Sequence, residues 1–427
     1  MAAISTGAFL LLLPISHNGT LGIIDALFTS TSATCVTGLI VKDTSNDFTI
    51  FGQFVILLLI QIGGIGYMTA VTFFFVAAKQ KINYRDRLAL KESLSYPGMS
   101  GLVRFLKIVF ASIVIIEFVG FIVLSVRFSF DMPLKEALWF GLFHSVSAFN
   151  NAGFSLFNDN LMRYSTDLTI NLTIPLLIIL GGLGYMVILE IYNYSKDKVS
   201  RLSTHTKIVL WMYVIIIMLG MLLLLSLEWN NALKDFAWYD KILASWFASV
   251  NYRTAGFNTI DISKLTDSNL FFGTFFMMTG GAPGGTAGGI KVTAVALALL
   301  GTFYTLKGSK NVHIFHRHIP TYQINKSFAI IFVASIYIVI STIILSESEK
   351  LSFIRTLFET CSAFGTVGLS TGNGGVLSYS ALFSDIGKIN IMLLMLMGRI
   401  GVFAFTVAII GKVTQSRIKY AEGRIII

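Results

Sequence analysis

The chain has 427 residues, of which 55% are apolar and only 13% carry a formal charge. A soluble domain has about a quarter of its residues charged, so there are too few charges here to cover a water-facing surface. The net charge of +10 comes from basic residues scattered between apolar runs, which excludes a nucleic-acid-binding surface as its explanation. Two cysteines provide neither a disulfide framework nor metal-ligand spacing. Composition therefore indicates an integral membrane protein.

Apolar runs long enough to cross a bilayer, about 20 residues each, recur along the chain. The residues up to Pro14 predict the end of a helix that is too short to span. Further spans are predicted at about 51–78, 105–126, 168–192, 208–227, 269–304, 327–345 and 389–411. We expect about eight spans if the first helix is counted as complete.

The distribution of charge predicts the orientation of these spans. Lys and Arg concentrate in alternate connections, at 79–107, 196–207, 307–326 and in the tail from 412. The positive-inside rule assigns these connections and the C-terminus to the cytoplasm. The opposite connections are acidic and include Asp43, Glu228 and Glu359. Those carboxylates either raise the cation concentration at the outer face or reflect topology alone, and the sequence leaves both interpretations open.

Four 13-residue segments align without gaps, at 27–39, 142–154, 245–257 and 357–369. The second residue is always aromatic, and the twelfth is always glycine: Gly38, Gly153, Gly256 and Gly368. Each segment is too short to span and lies between two spans, which is typical of a re-entrant segment. The four units enter with one orientation, which favours a pseudo-fourfold pore over an inverted-repeat transporter.

The predicted fold is therefore an all-α integral membrane protein with four tandem helix–pore loop–helix repeats around a pseudo-fourfold pore, as in potassium channels. The predicted repeats are 1–78, with a truncated first outer helix, then 79–195, 196–307 and 308–412. A C-terminal tail follows at 413–427.

A dehydrated potassium ion needs oxygen ligands in place of its water shell, and rings of backbone carbonyls supply them. Glycine permits the backbone dihedrals that turn carbonyls toward the ion. The predicted ligands for K⁺ are the backbone carbonyls of Val36, Thr37 and Gly38, of Asn151, Ala152 and Gly153, of Thr254, Ala255 and Gly256, and of Thr366, Val367 and Gly368.

A second glycine mark follows on the inner helices. It reads GGIGYM at 63–68, GGLGYM at 181–186 and GRIGVF at 398–403. In the first two repeats we interpret it as close helix packing through small residues. The third repeat instead has GGAPGGTAGGIK at 280–291, where the inner helix must break and line the ion path.

A gate is predicted at this broken segment, together with the arginine of the fourth mark. The predicted gate residues are Gly280, Gly281, Gly284, Gly285, Thr286, Gly288, Gly289, Lys291 and Arg399. An arginine near mid-helix costs about 2.5 kcal/mol or more unless it is paired or hydrated, so we expect Arg399 to face the interior. Glu117, inside the outer helix of the second repeat, is a coupling-ion site or, as we favour, packs against a polar partner.

The four glycine segments, the broken third inner helix and Arg399 together resemble the Trk/Ktr/HKT superfamily of potassium and sodium uptake proteins, most of all its bacterial Ktr-type membrane subunits. The resemblance covers nearly the whole chain and departs from the family at the short first helix. It implies that Gly38 belongs to the potassium-preferring type and that transport is stimulated by Na⁺. It also implies a homodimer with one pore per protomer in the bacterial plasma membrane. The expected partner is a cytoplasmic octameric ring that binds ATP or ADP.

The predicted function is potassium uptake through a selective pore controlled by the glycine segment and this ring. The alternative is a sodium-coupled potassium symporter. An enzyme is disfavoured because the sequence offers no paired carboxylates, metal cluster or nucleophile–base set at membrane depth. No organic cofactor is expected on this chain, and Na⁺ is considered as a second ion beside K⁺.

Overall fold

A computed structural model describes residues 1–66, 69, 91, 101–196, 201–309, 311–372, 376–402 and 404–406. The predicted tail at 413–427 and most of the basic connection at 79–107 lie outside these residues. The described part is helical apart from one short hairpin, which confirms the predicted all-α class.

The helices follow the order of the four repeats. The first repeat contains α1 (Ala2–Leu11), α2 (Ile23–Thr34) and α3 (Ile50–Ile65). The second contains α4 (Leu102–Phe128), α5 (Leu134–Phe149), α6 (Leu168–Gly182) and α7 (Tyr185–Lys196). The third contains α8 (Thr204–Glu228), α9 (Trp238–Asn251), α10 (Asp267–Met278) and α11 (Val292–Leu306). The fourth contains α12 (Thr321–Glu349), α13 (Phe353–Gly365) and α14 (Asp385–Ile400). Between the third and fourth, β1 (Val312–Ile314) pairs antiparallel with β2 (Arg317–Ile319).

The repeats close into a ring in chain order. Within each repeat the outer helix (α1, α4, α8 or α12) packs against the short pore helix (α2, α5, α9 or α13). Each inner helix also packs against the pore helix of the next repeat, in the pairs α3–α5, α6–α9, α10–α13 and α14–α2. The last pair joins the fourth repeat to the first, so the four pore helices surround one axis.

Membrane-length helices are present among the described residues. Three of them, α4, α8 and α12, are long and apolar enough to cross a bilayer. The pair α6 and α7 passes the same test together but bends by 102° between its halves. Shorter apolar helices are α1, α3 and α11.

The span predicted at 168–192 is divided into two helices. The chain breaks at Gly184, whose φ is +86°. The same position of the glycine mark, Gly66 and Gly401, has φ of +85° and +96° and ends α3 and α14. Only glycine adopts this backbone readily. The inner helices of the second and fourth repeats are thus interrupted as well, and α3 ends at the same position of the mark, so the expectation that only the third inner helix breaks is wrong.

The first glycine of each mark does serve close packing. Gly63, Gly181 and Gly398 lie against backbone carbonyls at one shared position of the pore helices, those of Thr34, Phe149 and Phe364. A Cβ at any of these glycines would overlap the carbonyl oxygen. Glycine here lets each inner helix touch the end of its pore helix, and the mark combines a contact with a break.

Candidate ion pathway

The four pore loops, residues 36–38, 151–153, 254–256 and 366–368, share one backbone conformation. Their first residues, Val36, Asn151, Thr254 and Thr366, have φ between +51° and +65°. Their glycines have φ between +69° and +93°, whereas the middle residues do not have positive φ. A residue of positive φ on either side of one of negative φ turns successive carbonyls to the same side of the chain. This alternation is what a column of inward-facing carbonyl oxygens requires.

The loops meet in a closed ring. A Cβ on Gly38 would lie 2.5 Å from the carbonyl oxygen of Ala152 in the next repeat. A Cβ on Gly153 would lie 2.7 Å from Ala255 O, and a Cβ on Gly256 would lie 2.7 Å from Val367 O. A Cβ on Gly368 would overlap Thr37 O, which returns the ring to the first repeat. Each glycine therefore faces the carbonyl of the following loop, and no side chain fits between them.

The pore helices hold these loops by direct hydrogen bonds. The Ser32 hydroxyl accepts from the Gly38 N–H at 3.1 Å, and Ser362 accepts from the Gly368 N–H at 3.0 Å. The third repeat has valine at this position, and the Asn251 side chain accepts instead from the Phe257 N–H, directly after the loop, at 3.0 Å. Each pore helix also ends immediately before its loop, so the negative end of its dipole faces the ring and favours a cation.

An outer cavity of about 230 Å³ opens above the ring and is lined by all four glycines of the pore loops. Asp43, Asp159 and Asp261, from three different repeats, also line it. Asp159 pairs with Arg163 at 2.8 Å, and Asp261 lies 3.4 Å from Lys264. The mouth is therefore polar and acidic, although two of its carboxylates are partly neutralised by neighbours.

Two of the acidic residues that the sequence assigns to the outer side are buried and hydrogen-bonded within the protein. Glu359 is fully buried and accepts hydrogen bonds from Ser370 Oγ at 2.7 Å and from Ser380 N–H at 2.8 Å. Glu228 is also fully buried and accepts from the Thr266 N–H at 2.9 Å. Burial separates both from the water of the mouth, so the interpretation of a cation-attracting surface does not apply to them.

Below the ring, the segment 279–291 joins α10 to α11 and contains every predicted gate residue except Arg399; we call it the glycine loop. Its Ala282 and Thr286 N–H groups donate to carbonyls at the end of α6, at 2.9 and 3.1 Å. Its Gly289 N–H donates to Gly398 O of α14 at 3.1 Å. The loop is therefore hydrogen-bonded to both neighbouring repeats, the second and the fourth.

Thr286 connects the glycine loop to a pore loop directly. Its hydroxyl donates to Asn151 Oδ1 at 2.9 Å. The amide of Asn151 in turn donates to Arg253 O at 3.3 Å and lies 3.4 Å from Thr254 Oγ1. Asn151 thus links two pore loops to the segment that lies beneath them.

Arg399 holds the glycine loop from the other side. Its guanidinium donates to the carbonyl of Thr286 and to the carbonyls of Gly63 and Gly64 at the end of α3, the last at 3.0 Å. Lys291 donates to Ala287 O at 2.6 Å within the loop. Two cations therefore lie under the ring, and Arg399 connects the first, third and fourth repeats.

Sequence reasoning missed Arg253, which directly precedes the third pore loop and is 2% exposed. Its guanidinium lies 3.8 Å from the Tyr213 ring centroid and donates to Gly280 O at 2.7 Å. It fixes the start of the glycine loop. The available signal was an arginine within a re-entrant segment, where an uncompensated charge is costly.

Glu117 has the polar partners that the sequence favoured. Its carboxylate accepts from Asn150 Nδ2 at 3.0 Å and from Gln61 Nε2 at 3.2 Å. Asn150 ends α5 and directly precedes the second pore loop. The cluster therefore stabilises the back of the ring, between the first and second repeats.

Comparisons with known proteins agree with this geometry. The TrkH family, described as a cation transport protein, matches residues 2–419. The chain is 38% identical to "Ktr system potassium uptake protein B" of Bacillus subtilis, over 98% of this chain and 93% of that protein. It is 35% identical to "Potassium/sodium uptake protein NtpJ" of Enterococcus hirae, over 97% and 92%. The crystal structure of the potassium transporter TrkH from Vibrio parahaemolyticus matches with a TM-score of 0.76 at 18% identity, over 96% of this chain and 82% of that one.

Proposed function

The chain belongs to the TrkH family of cation transport proteins, and from this premise we propose that it takes up potassium through the ring of pore loops. It is a membrane transporter rather than an enzyme. The observation that carries the proposal is the closed ring, in which each glycine faces the carbonyl oxygen of the next loop. Uncharged carbonyls replace the hydration shell of K⁺ without binding it too tightly to release.

The ions are proposed to bind at the twelve pore-loop carbonyls predicted from the sequence. This proposal is supported by the alternation of positive and negative φ within each triplet. It is further supported by the pore helices, whose negative ends face the ring from four sides. The same cyclic packing supports dividing the chain into the four repeats 1–78, 79–195, 196–307 and 308–412.

The glycine loop and Arg399 are proposed as the gate. The loop is hydrogen-bonded to the second and fourth repeats, and its Thr286 contacts both the second pore loop and Arg399. Arg399 adds a bridge to the end of α3 and puts a positive charge in the path of a cation. Opening requires these hydrogen bonds to break, so a conformational change that pulls α11 would be coupled to ion flow.

A regulatory partner is proposed from the naming of the relatives as members of a Ktr system. In this proposal the chain forms a homodimer in the bacterial plasma membrane, with its basic connections and C-terminus in the cytoplasm. A cytoplasmic octameric ring that binds ATP or ADP contacts that face. The glycine loop is continuous with α11, which ends at the proposed cytoplasmic face. A movement of the cytoplasmic octamer that displaces α11 would therefore also displace the gate.

A sodium-coupled symporter is the second candidate, because one relative is named a potassium/sodium uptake protein. The two functions differ in the reversal potential of the reconstituted protein. A pore follows the potassium gradient alone, whereas a symporter with fixed stoichiometry shifts with the sodium gradient.

Uptake of K⁺ by cells that lack their own potassium transporters tests the proposed function. Expression of the chain with its regulatory partner is expected to restore growth at low external K⁺. Gly256→Asp, which places a charged side chain against the Val367 carbonyl, is expected to abolish the rescue. Equal rescue by the wild type and by this variant at matched membrane levels would refute transport through the ring.

A further inference from the structure

An apolar groove of about 490 Å³ lies between α8 and α11, and none of the pore-loop residues lines it. Every side chain that lines it is apolar, among them Trp211, Leu299, Phe303 and Phe315. Trp211 and Leu299 are each 60% exposed, so the groove is open on one side. An opening of this size between membrane helices is large enough to accept an apolar chain.

The groove begins at one end of its two helices. Along α8 it extends from Ile208 to Ile215, and along α11 from Phe303 back to Ala296. Seven residues of α-helix rise by about 10 Å. This is about a third of the apolar core of a bilayer. The groove therefore starts at the membrane edge that the proposed orientation assigns to the cytoplasm and reaches into the inner leaflet.

Two lysines lie over the aromatic rings at the mouth of the groove. Lys207 Nζ is 5.6 Å from the centroid of Phe315, and Lys307 Nζ is 4.5 Å from the centroid of Phe303. Both distances are within the range of cation–π contacts. Among the ion pairs formed by the described residues, neither lysine takes part. The mouth therefore presents two positive charges that form no ion pair with a described carboxylate.

The β1–β2 hairpin contributes Phe315 in a backbone conformation that suits glycine or asparagine. Phe315 and His316 form its two-residue turn with φ of +49° and +60°. A bulky residue in this region is uncommon and costs conformational energy. Val312 and Ile319 anchor the hairpin against α11, so the ring of Phe315 is held over the groove.

We propose that this groove binds one anionic phospholipid of the inner leaflet. An acyl chain fills the apolar groove, and the phosphate lies between Lys207 and Lys307. Basic sites between membrane helices at the cytoplasmic face attract anionic headgroups, while the apolar wall distinguishes a lipid from a free anion. The inference rests on the proposed orientation but not on the proposed transport.

Native mass spectrometry of the delipidated full-length protein tests the site with phosphatidylglycerol and phosphatidylcholine of the same acyl chains. We expect one phosphatidylglycerol to be retained selectively. Lys207→Ala and Lys307→Ala should each weaken it about fivefold, since a basic residue near an anionic surface contributes about that much in affinity. Leu299→Trp fills the groove at an exposed position and should abolish retention while both charges remain.

The matched control is Lys234→Ala with Lys350→Ala, which removes the same charge from two exposed lysines on the opposite side. It should retain the lipid as the wild type does.

Equal retention of the two lipids would overturn the proposal, as would unchanged retention in the double variant of Lys207 and Lys307. If glycerol phosphate raises the Tm of the protein as much as the lipid does, the lysines form an anion site only. If the Leu299→Cys protein forms a cross-link between two copies, the groove is covered by a second chain. Because the readout is binding, a failure of transport would leave this result unaffected.

Discussion

Arg399→Ala is expected to open the pathway. In the wild type its guanidinium bridges the Thr286 carbonyl of the glycine loop to the Gly63 and Gly64 carbonyls of α3. A hydrogen bond from a charged donor contributes about 1.5 kcal/mol or more. Alanine removes all three, which destabilises the closed loop by about 4.5 kcal/mol relative to an open one. This raises the open-to-closed ratio on the order of a thousandfold.

Arg399→Lys separates the bridge from the charge. Lysine keeps the positive charge but presents a single ammonium in place of the planar fork, so it cannot span Thr286 and Gly63 together. If the bridge holds the loop closed, Lys should raise flux toward the level of Ala. If the charge alone repels cations, Lys should behave as the wild type does.

The assay is K⁺ flux into proteoliposomes, driven by a fixed gradient and normalised to reconstituted protein. Lys388→Ala on the same helix is the control, because its ammonium pairs with Asp25 at 2.8 Å, away from the glycine loop. Flux that is unchanged in both Arg399 variants would refute the role of this arginine in closure.

Three further outcomes are expected. Gly38→Ser should lower the preference for K⁺ over Na⁺, read as a shift in reversal potential, because φ is +93° and a Cβ would displace the next carbonyl. Thr286→Val should raise K⁺ flux about fivefold, because the hydrogen bond to Asn151 contributes about 1 kcal/mol to closure. Glu117→Leu should reduce the free energy of unfolding by about 1–3 kcal/mol, because Asn150 loses a buried acceptor, whereas Glu117→Gln should cost less. Thermal unfolding in detergent measures this last difference.

Each of these outcomes has a contrary result. Equal reversal potentials for Gly38→Ser and the wild type would contradict the carbonyl ring as the selective element. Thr286→Ser retains the hydroxyl and should match the wild type, so equal flux in the Ser and Val variants would dissociate the hydrogen bond from closure. A Glu117→Leu protein with unchanged Tm would mean that the cluster behind the ring contributes nothing to stability.

The sequence by itself determined the all-α membrane class and predicted four repeats with their pore loops. It could do so because the repeat is local: an aromatic residue and a glycine recur ten positions apart in each segment. Burial at membrane depth leaves little freedom for such a segment, since its backbone must be enclosed by protein or face a cavity. The same reasoning singled out the broken third inner helix and Arg399.

Only the tertiary structure decided which partners these residues have. Glycines of the same sequence mark have two different roles. Gly181 contacts a carbonyl whereas Gly184 has a positive φ, and the sequence does not distinguish these roles. Arg253 gained a role only when α8 brought Tyr213 beside it. Glu359 was separated from the water of the mouth by residues that follow it in the chain. The physical reason is that burial and hydrogen-bond partners are set by packing rather than by local pattern.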